Sequence, residues 1–183
     1  MKKIFFIALA LFLSIGAYAN EPYARDSVIQ ANNLNAQQIY ESLKKWFITN
    51  SKYDSRYIIE HDDATNKHLV GRFNFNYDAK SMTWAGGNGH ISVVVEIMAR
   101  EGRFKIRLSD FRHVSEHPRF AAQWSLGNIT SEIPEEWASG WKKKQQRETY
   151  KRVFARCQEI SDLIINDIAK YAEDFKPIEG DDW

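Results

Sequence analysis

Apolar and polar residues alternate along Ile91, Val93, Val95 and Ile97, and again along Phe104, Ile106 and Leu108. A period of two in β-branched and aromatic residues predicts two strands, each half-buried on one face. Glu101 and Gly102 lie between them, and Gly can adopt the positive φ that a two-residue hairpin loop demands. With that loop the register follows: Arg100 faces Arg103, Ala99 faces Phe104, Ile97 faces Ile106 and Val95 faces Leu108. A slip of one residue would pair apolar with polar throughout, so the pattern specifies its own register. The opposite face then carries Met98 beside Lys105 and Glu96 beside Arg107. Arg100 opposite Arg103 is mildly unfavourable, which makes that end of the hairpin splayed or wet.

Two stretches follow the helical period instead. Ile39, Leu43, Trp46 and Phe47 form one apolar stripe, with Gln37, Glu41, Lys44 and Lys45 off it. Asn35 is a good N-cap, Gln38 completes a capping box, and Leu34 and Ile39 are spaced for a hydrophobic staple. This helix is expected to stop near Asn50. From Lys142 to Phe175, Tyr150, Val153, Cys157, Ile160, Ile164, Ile168 and Tyr171 recur at three-four spacing on an otherwise charged surface. That predicts one long helix, ended by Pro177 and Gly180.

The remaining strands are shorter. Ser27 to Ala31 is a weak strand centred on Val28. Tyr57 to Glu60 reads as a strand whose facing the pattern leaves open. Asp62-Asp63-Ala64-Thr65-Asn66 is turn chemistry. Leu69 to Asn76 is a strand with Leu69, Gly71, Phe73 and Phe75 on one side and Val70, Arg72, Asn74 and Asn76 on the other. Residues 114–141 lack clean periodicity yet hold Phe120, Trp124, Leu126, Ile129, Ile133, Trp137 and Trp141. A loop so apolar is expected to lie over a sheet edge or a helix end, with a helical turn at Pro134–Trp137. The order is β-α-β-β-β-β-α, an α+β fold with an antiparallel sheet of about five strands and two helices on one face.

Composition adds a destination. Of 183 residues, the first nineteen read as a secretory leader: Lys2 and Lys3, an apolar run from Ile4 to Leu13, then Ala17-Tyr18-Ala19. Cleavage after Ala19 would leave a single domain, 20–183, in the periplasm or the medium, with 23 basic and 24 acidic residues and a net charge of −1. A near-neutral exported chain is a poor partner for nucleic acid. Cys157 is the only cysteine, so there is no intrachain disulfide and no thiol behind the leader to take a lipid. No stretch is apolar enough for a membrane span.

With this order in place the chain resembles a secreted bacterial family catalogued as domain of unknown function 4468, whose fold is similar to that of the TATA-binding protein. The likeness is carried by the exported start, the helix IYESLKKWF, the strand pair around HDDATNKHLVGRF and the hairpin VVVEIMAREGRFKIRLSDFRH, over about residues 26–113. The resemblance implies a fold and nothing catalytic, because the family carries no assigned activity, ligand or catalytic residues. A fold name does not imply DNA binding.

Candidate chemistry is sparse. His61, Asp62, Asp63 and His68 flank one turn, and His113, Glu116 and His117 are closely spaced. Zinc wants three or four ligands in tetrahedral reach, whereas the acids of the first set read as turn residues and its histidines as surface ones. The second set precedes a proline without clear helical character, so no metal site is expected. Cys157 sits on an apolar stripe, where free cysteine behaves as a small hydrophobe rather than a nucleophile. Gly86-Gly87-Asn88-Gly89 precedes a strand and so is no phosphate cradle. The polar sheet face offers Arg72, Glu96, Lys105 and Arg107, with Trp84 able to close over them, as a site for a carboxylate or phosphate. The leading expectation is a non-enzymatic binding or assembly module without a cofactor. It would meet an unknown protein, peptide or glycan through the open sheet face or the Trp-rich segment. The alternatives are a carrier of a small apolar molecule with a cavity between sheet and C-terminal helix, and a hydrolase.

Overall fold

The computed structural model describes residues 21–49, 58–79, 87–116, 124–134 and 141–175. The leader, Tyr57, Trp84, Phe120 and Trp137 lie outside the described residues. In chain order the elements are β1 (Arg25–Gln30), α1 (Ala36–Thr49), β2 (Ile58–Asp63), β3 (His68–Tyr77), β4 (Gly89–Arg100), β5 (Arg103–Ser115), β6 (Gly127–Asn128) and α2 (Trp141–Asp174). One antiparallel sheet runs β1-β5-β4-β3-β2, and β6 pairs with β5.

The hairpin register follows from the alternation as expected: Arg100–Arg103, Ala99–Phe104, Ile97–Ile106, Val95–Leu108, Met98–Lys105 and Glu96–Arg107 are all partners. Gly102 takes a φ of 68°, the left-handed value that turn needs. Ile91, Val93, Val95, Ile97, Phe104, Ile106 and Leu108 are buried. They face α1, whose Ile39, Leu43, Trp46 and Phe47 are buried too, and the Val153–Ile168 stripe of α2. The α1 start is the reciprocal capping box: Gln38 N–H donates to Asn35 Oδ1 at 2.9 Å and Asn35 N–H to Gln38 Oε1 at 3.0 Å.

Three features depart from the pattern reading. First, β5 runs on to Ser115, through a bulge where Ser92 and Val94 of β4 face Arg112 and Ser109. Asp110 sits there at a φ of 50°. Unbroken alternation after Leu108 would have turned Asp110 and Arg112 into the core. The extra residue shifts the phase, so Phe111, His113 and Ser115 are buried instead. Second, β2 extends to Asp63, and its register breaks between Ile59 and His61. Third, part of segment 114–141 adds a strand to the sheet. β6 pairs with Arg112 and His113 beyond the end of β1, and Tyr23 N–H donates to the Ile129 carbonyl at 2.8 Å. Tyr150 Oη donates to the Thr130 carbonyl at 2.7 Å, tying this strand to α2. The described part of the segment around 127–130 thus lies along the sheet edge. The helical turn expected at Pro134–Trp137 falls, after Pro134, outside the described residues.

Candidate functional site on the open sheet face

Helices cover one side of the sheet, and the other side carries the second row of each strand. On β3 that row is Val70, Arg72, Asn74 and Asn76; on β4, Val94, Glu96, Met98 and Arg100; on β5, Arg103, Lys105 and Arg107; on β1, Asp26, Val28 and Gln30. Most of its charges are matched within the face. Arg72 donates Nε to Glu60 at 2.9 Å and an Nη to Asp110 at 2.7 Å, and these two carboxylates raise its already high pKa. Glu96 meets His68 Nε2 at 2.8 Å. Asp26 holds Lys105 at 2.8 Å and reaches Arg107 at 4.0 Å. Exposed pairs of this kind add little stability. What they do is occupy the cations.

The sequence-derived set Arg72, Glu96, Lys105 and Arg107 therefore does share one face, but not one focus. Lys105 and Arg107 gather on Asp26 at the β1 side. Arg72 lies two strands away, beyond β4, between Glu60 and Asp110. Trp84 lies outside the described residues.

The geometry converges instead at the hairpin end. Val28, Lys105 and Met98 stand in one cross-strand row, and Gln30, Arg103 and Arg100 in the next. These rows border a half-open concavity of about 250 Å³, lined by Val28, Met98, Arg100, Arg103, Phe104 and Lys105. Val28 is 56% exposed and Met98 36%, so its apolar floor is presented to solvent. Among the described residues neither Arg100 nor Arg103 has an ion-paired acid. Sequence reading registered these arginines only as a mildly repulsive pair. The available signal was that repulsion beside an exposed Val28 and Met98. What it lacked was the pairing of β1 with β5, which brings Val28 to the same spot.

The histidine clusters fall to structural work. Asp62 accepts from the Tyr40 hydroxyl and pairs with Lys44 of α1 at 2.5 Å, which lowers its pKa, Lys44 most. Burial, and then Asp62, push the Tyr40 hydroxyl up to about 12. Asp63 caps the following turn through Thr65 N–H at 2.9 Å and Asn66 N–H at 3.0 Å. His61 and His68 stand edge to face with centroids 5.3 Å apart, and Glu96 bonds His68. Two imidazoles and an acid do meet there, on an exposed strand surface rather than a cleft. Among the described residues no group of three His, Cys, Asp or Glu is arranged to hold a metal ion.

His113 is a core residue, not the surface ligand its spacing allowed. It is buried, its Nε2–H donates to the Gly87 carbonyl at 2.8 Å, and its Nδ1 accepts from Leu126 N–H at 3.3 Å. Glu116 is exposed and reaches His90 at 3.3 Å, and His117 lies outside the described residues. Burial, with a small contribution from His90, lowers the His113 pKa below 6.5. The unfolded chain then binds the proton first. The stability due to His113 is complete above about pH 6.5 and is lost as pH falls from there to the depressed folded value, with a limiting slope of about 1.4 kcal/mol per pH unit. Denaturant midpoints between pH 5 and 7.5 should show this loss in the wild type and a smaller one in His113→Gln. Identical pH profiles would contradict it.

Cys157 is buried on α2, and desolvation pushes its thiol up to about 12. The carrier reading places its cavity between the sheet and α2, and there Tyr150, Val153, Cys157, Ile160, Ile164 and Ile168 are buried in one cluster with the inward rows of the sheet. On the α1 side, Trp46 and Phe47 lie 5.6 and 5.5 Å from Phe73. Among the described residues no helix is long and apolar enough to cross a membrane.

Comparison with known proteins is consistent with this architecture. Residues 26–114 match the family described as Domain of unknown function (DUF4468) with TBP-like fold. No curated protein matches the chain. A crystal structure of a DUF4468 family protein from Bacteroides ovatus superposes with a TM-score of 0.53 at 13% identity, covering 88% of this chain and 93% of that one. A TBP-like protein from Parabacteroides distasonis gives a TM-score of 0.51 at 11% identity, covering 87% and 98%. At such identities the likeness is one of fold alone.

Proposed function

On the premise that residues 26–114 form a DUF4468 domain with TBP-like fold, we propose that the chain is an exported, non-enzymatic binding module that works through its open sheet face. The observation that carries this reading is the concavity at the hairpin end, where exposed apolar side chains lie with two arginines that have no ion-paired acid among the described residues. Arg72 and Arg107, elsewhere on the face, and Lys105, at the border of the concavity, are paired with Glu60, Asp110 and Asp26. A surface with that many acids is a poor match to a phosphate backbone, which supports a partner other than nucleic acid. Export is supported by the basic start, apolar run and Ala17-Tyr18-Ala19 of the leader.

The test is to isolate the protein from the envelope fraction of its host and weigh it by native mass spectrometry. A bound species is expected on the wild type and is expected to be lost in Arg100→Glu/Arg103→Glu, while Arg112→Glu retains it. Arg112 is exposed and sits at the far end of β5, so it controls for charge alone. A bound species that survives the double reversal would move the function off this face. A protein that stays in the cytosol with its leader intact would remove export.

A further inference from the structure

Resting on that reading, we infer that the hairpin-end concavity is a site for a small anionic amphiphile: an apolar body of about eight carbons bearing one terminal carboxylate or phosphate. Arg100 and Arg103 are direct partners across β4 and β5, so their side chains leave the sheet within a few ångströms of each other. Like charges placed that way repel, and no described acid relieves them. Glu101, between them in sequence, turns away to accept from Ala36 N–H at the start of α1. A single anion bridging both guanidinium forks would remove the repulsion and gain paired, charge-assisted hydrogen bonds. Lys105, already shared with Asp26, lies one row further in.

Val28 and Met98 flank Lys105 in the adjoining row, both solvent-facing, and Phe104 completes the lining. A ligand whose anion sits on the arginine row therefore lays its body along the Val28–Met98 row. Size sets the third limit. A concavity of about 250 Å³ falls below the roughly 300–1,000 Å³ of sites for drug-sized molecules, so it suits a fragment of about ten heavy atoms. The source is a dissolved molecule rather than a bilayer headgroup. The site is inset and local, and a mature chain with 23 basic and 24 acidic residues offers little general attraction to an anionic membrane.

The probes are octanoate, octyl phosphate, octanol, acetate and inorganic phosphate, titrated below micelle formation into the isotope-labelled leaderless protein. Amide shifts should move at Val28, Met98, Phe104 and Lys105 with octanoate and octyl phosphate, with a Kd on the order of 0.1–1 mM. Octanol, acetate and phosphate should each bind about tenfold more weakly or worse. Arg100→Gln/Arg103→Gln should weaken octanoate by about tenfold, with unchanged shifts in the core to show that the fold is intact, and Arg112→Gln should leave it unaffected. Octanol equal to octanoate, or acetate equal to octanoate, would overturn the inference. So would binding to phosphatidylglycerol vesicles in preference to the dissolved probes, which would assign the arginines to a membrane surface. If the double variant loses its host-derived partner while no amphiphile binds, this inference fails and the binding-face reading stands. If the partner is retained as well, both fail.

Discussion

Trp46→Ala is expected to lower the free energy of unfolding by about 3–5 kcal/mol, the range for truncating a buried large aromatic side chain. Trp46 is buried in α1, packs against Phe47 and Phe73 with centroids 5.3 and 5.6 Å away, and donates its indole N–H to Asp167 of α2 at 2.9 Å. It therefore joins both helices and the sheet at one point. Alanine leaves a cavity that three elements would have to collapse around, and it removes the Asp167 bond. Against a total stability of about 5–15 kcal/mol, that is a large fraction. Trp46→Phe separates the two effects: it keeps most of the ring volume, and the lost hydrogen bond should cost about 1–2 kcal/mol. Urea unfolding followed by circular dichroism reads both. A Trp46→Ala protein within 1 kcal/mol of wild type would mean that the ring is not at the junction described.

Gly89→Ala is expected to be nearly as severe, at about 3 kcal/mol, the upper end for overpacking. A Cβ at Gly89 would lie 2.1 Å from the Val114 carbonyl oxygen, 2.8 Å from Ser115 Cα and 2.9 Å from Glu116 N. All three are backbone atoms, so no side chain can swing aside. The first turn of β4 would have to separate from the end of β5, where Gly89 pairs with Ser115 and Glu116 N–H donates to the Asn88 carbonyl. Gly102→Ala is the useful contrast. Its Cβ would meet nothing closer than 3.8 Å, so the cost there is only the strain of a φ of 68°, on the order of 1 kcal/mol. A thermal melt in which Gly89→Ala falls no further than Gly102→Ala would show that the strand ends are not in close backbone contact.

The pattern of residues made some parts of this molecule plain and hid others for identifiable reasons. The hairpin register was legible because Val95, Ile97, Ile106 and Leu108 must all turn inward together, which a slip of one residue would undo, and the Glu101-Gly102 loop fixes the rest. The α1 start was legible because a capping box involves residues three apart, a purely local signal. The bulge at Asp110 was not read, although the step of three from Leu108 to Phe111 was a trace of it. A strand assumed regular hides a change of phase. His113 looked like a surface ligand because its partners, the Gly87 carbonyl and Leu126 N–H, come from two separate loops. The sheet edge formed by β6 was hidden because a two-residue strand has no periodicity.

The candidate site divides the same way. Which side chains leave each strand on the polar side is dictated by a period of two, and so Arg72, Glu96, Lys105 and Arg107 were placed on one face from sequence. Which of them is free is not a local property. Arg72 is taken by Asp110 because of a bulge 38 residues later, and Lys105 by Asp26 because β1 closes onto β5. Sequence alone determined the two helices, the longer strands, the hairpin pairing and the inward rows as far as Leu108, since these depend on neighbours within a few residues and on burying apolar area. Only the tertiary structure decided that Arg100 and Arg103, without an ion-paired acid among the described residues, stand beside Val28 at a concavity, because ion pairing and concavity depend on distances between strands far apart in the chain.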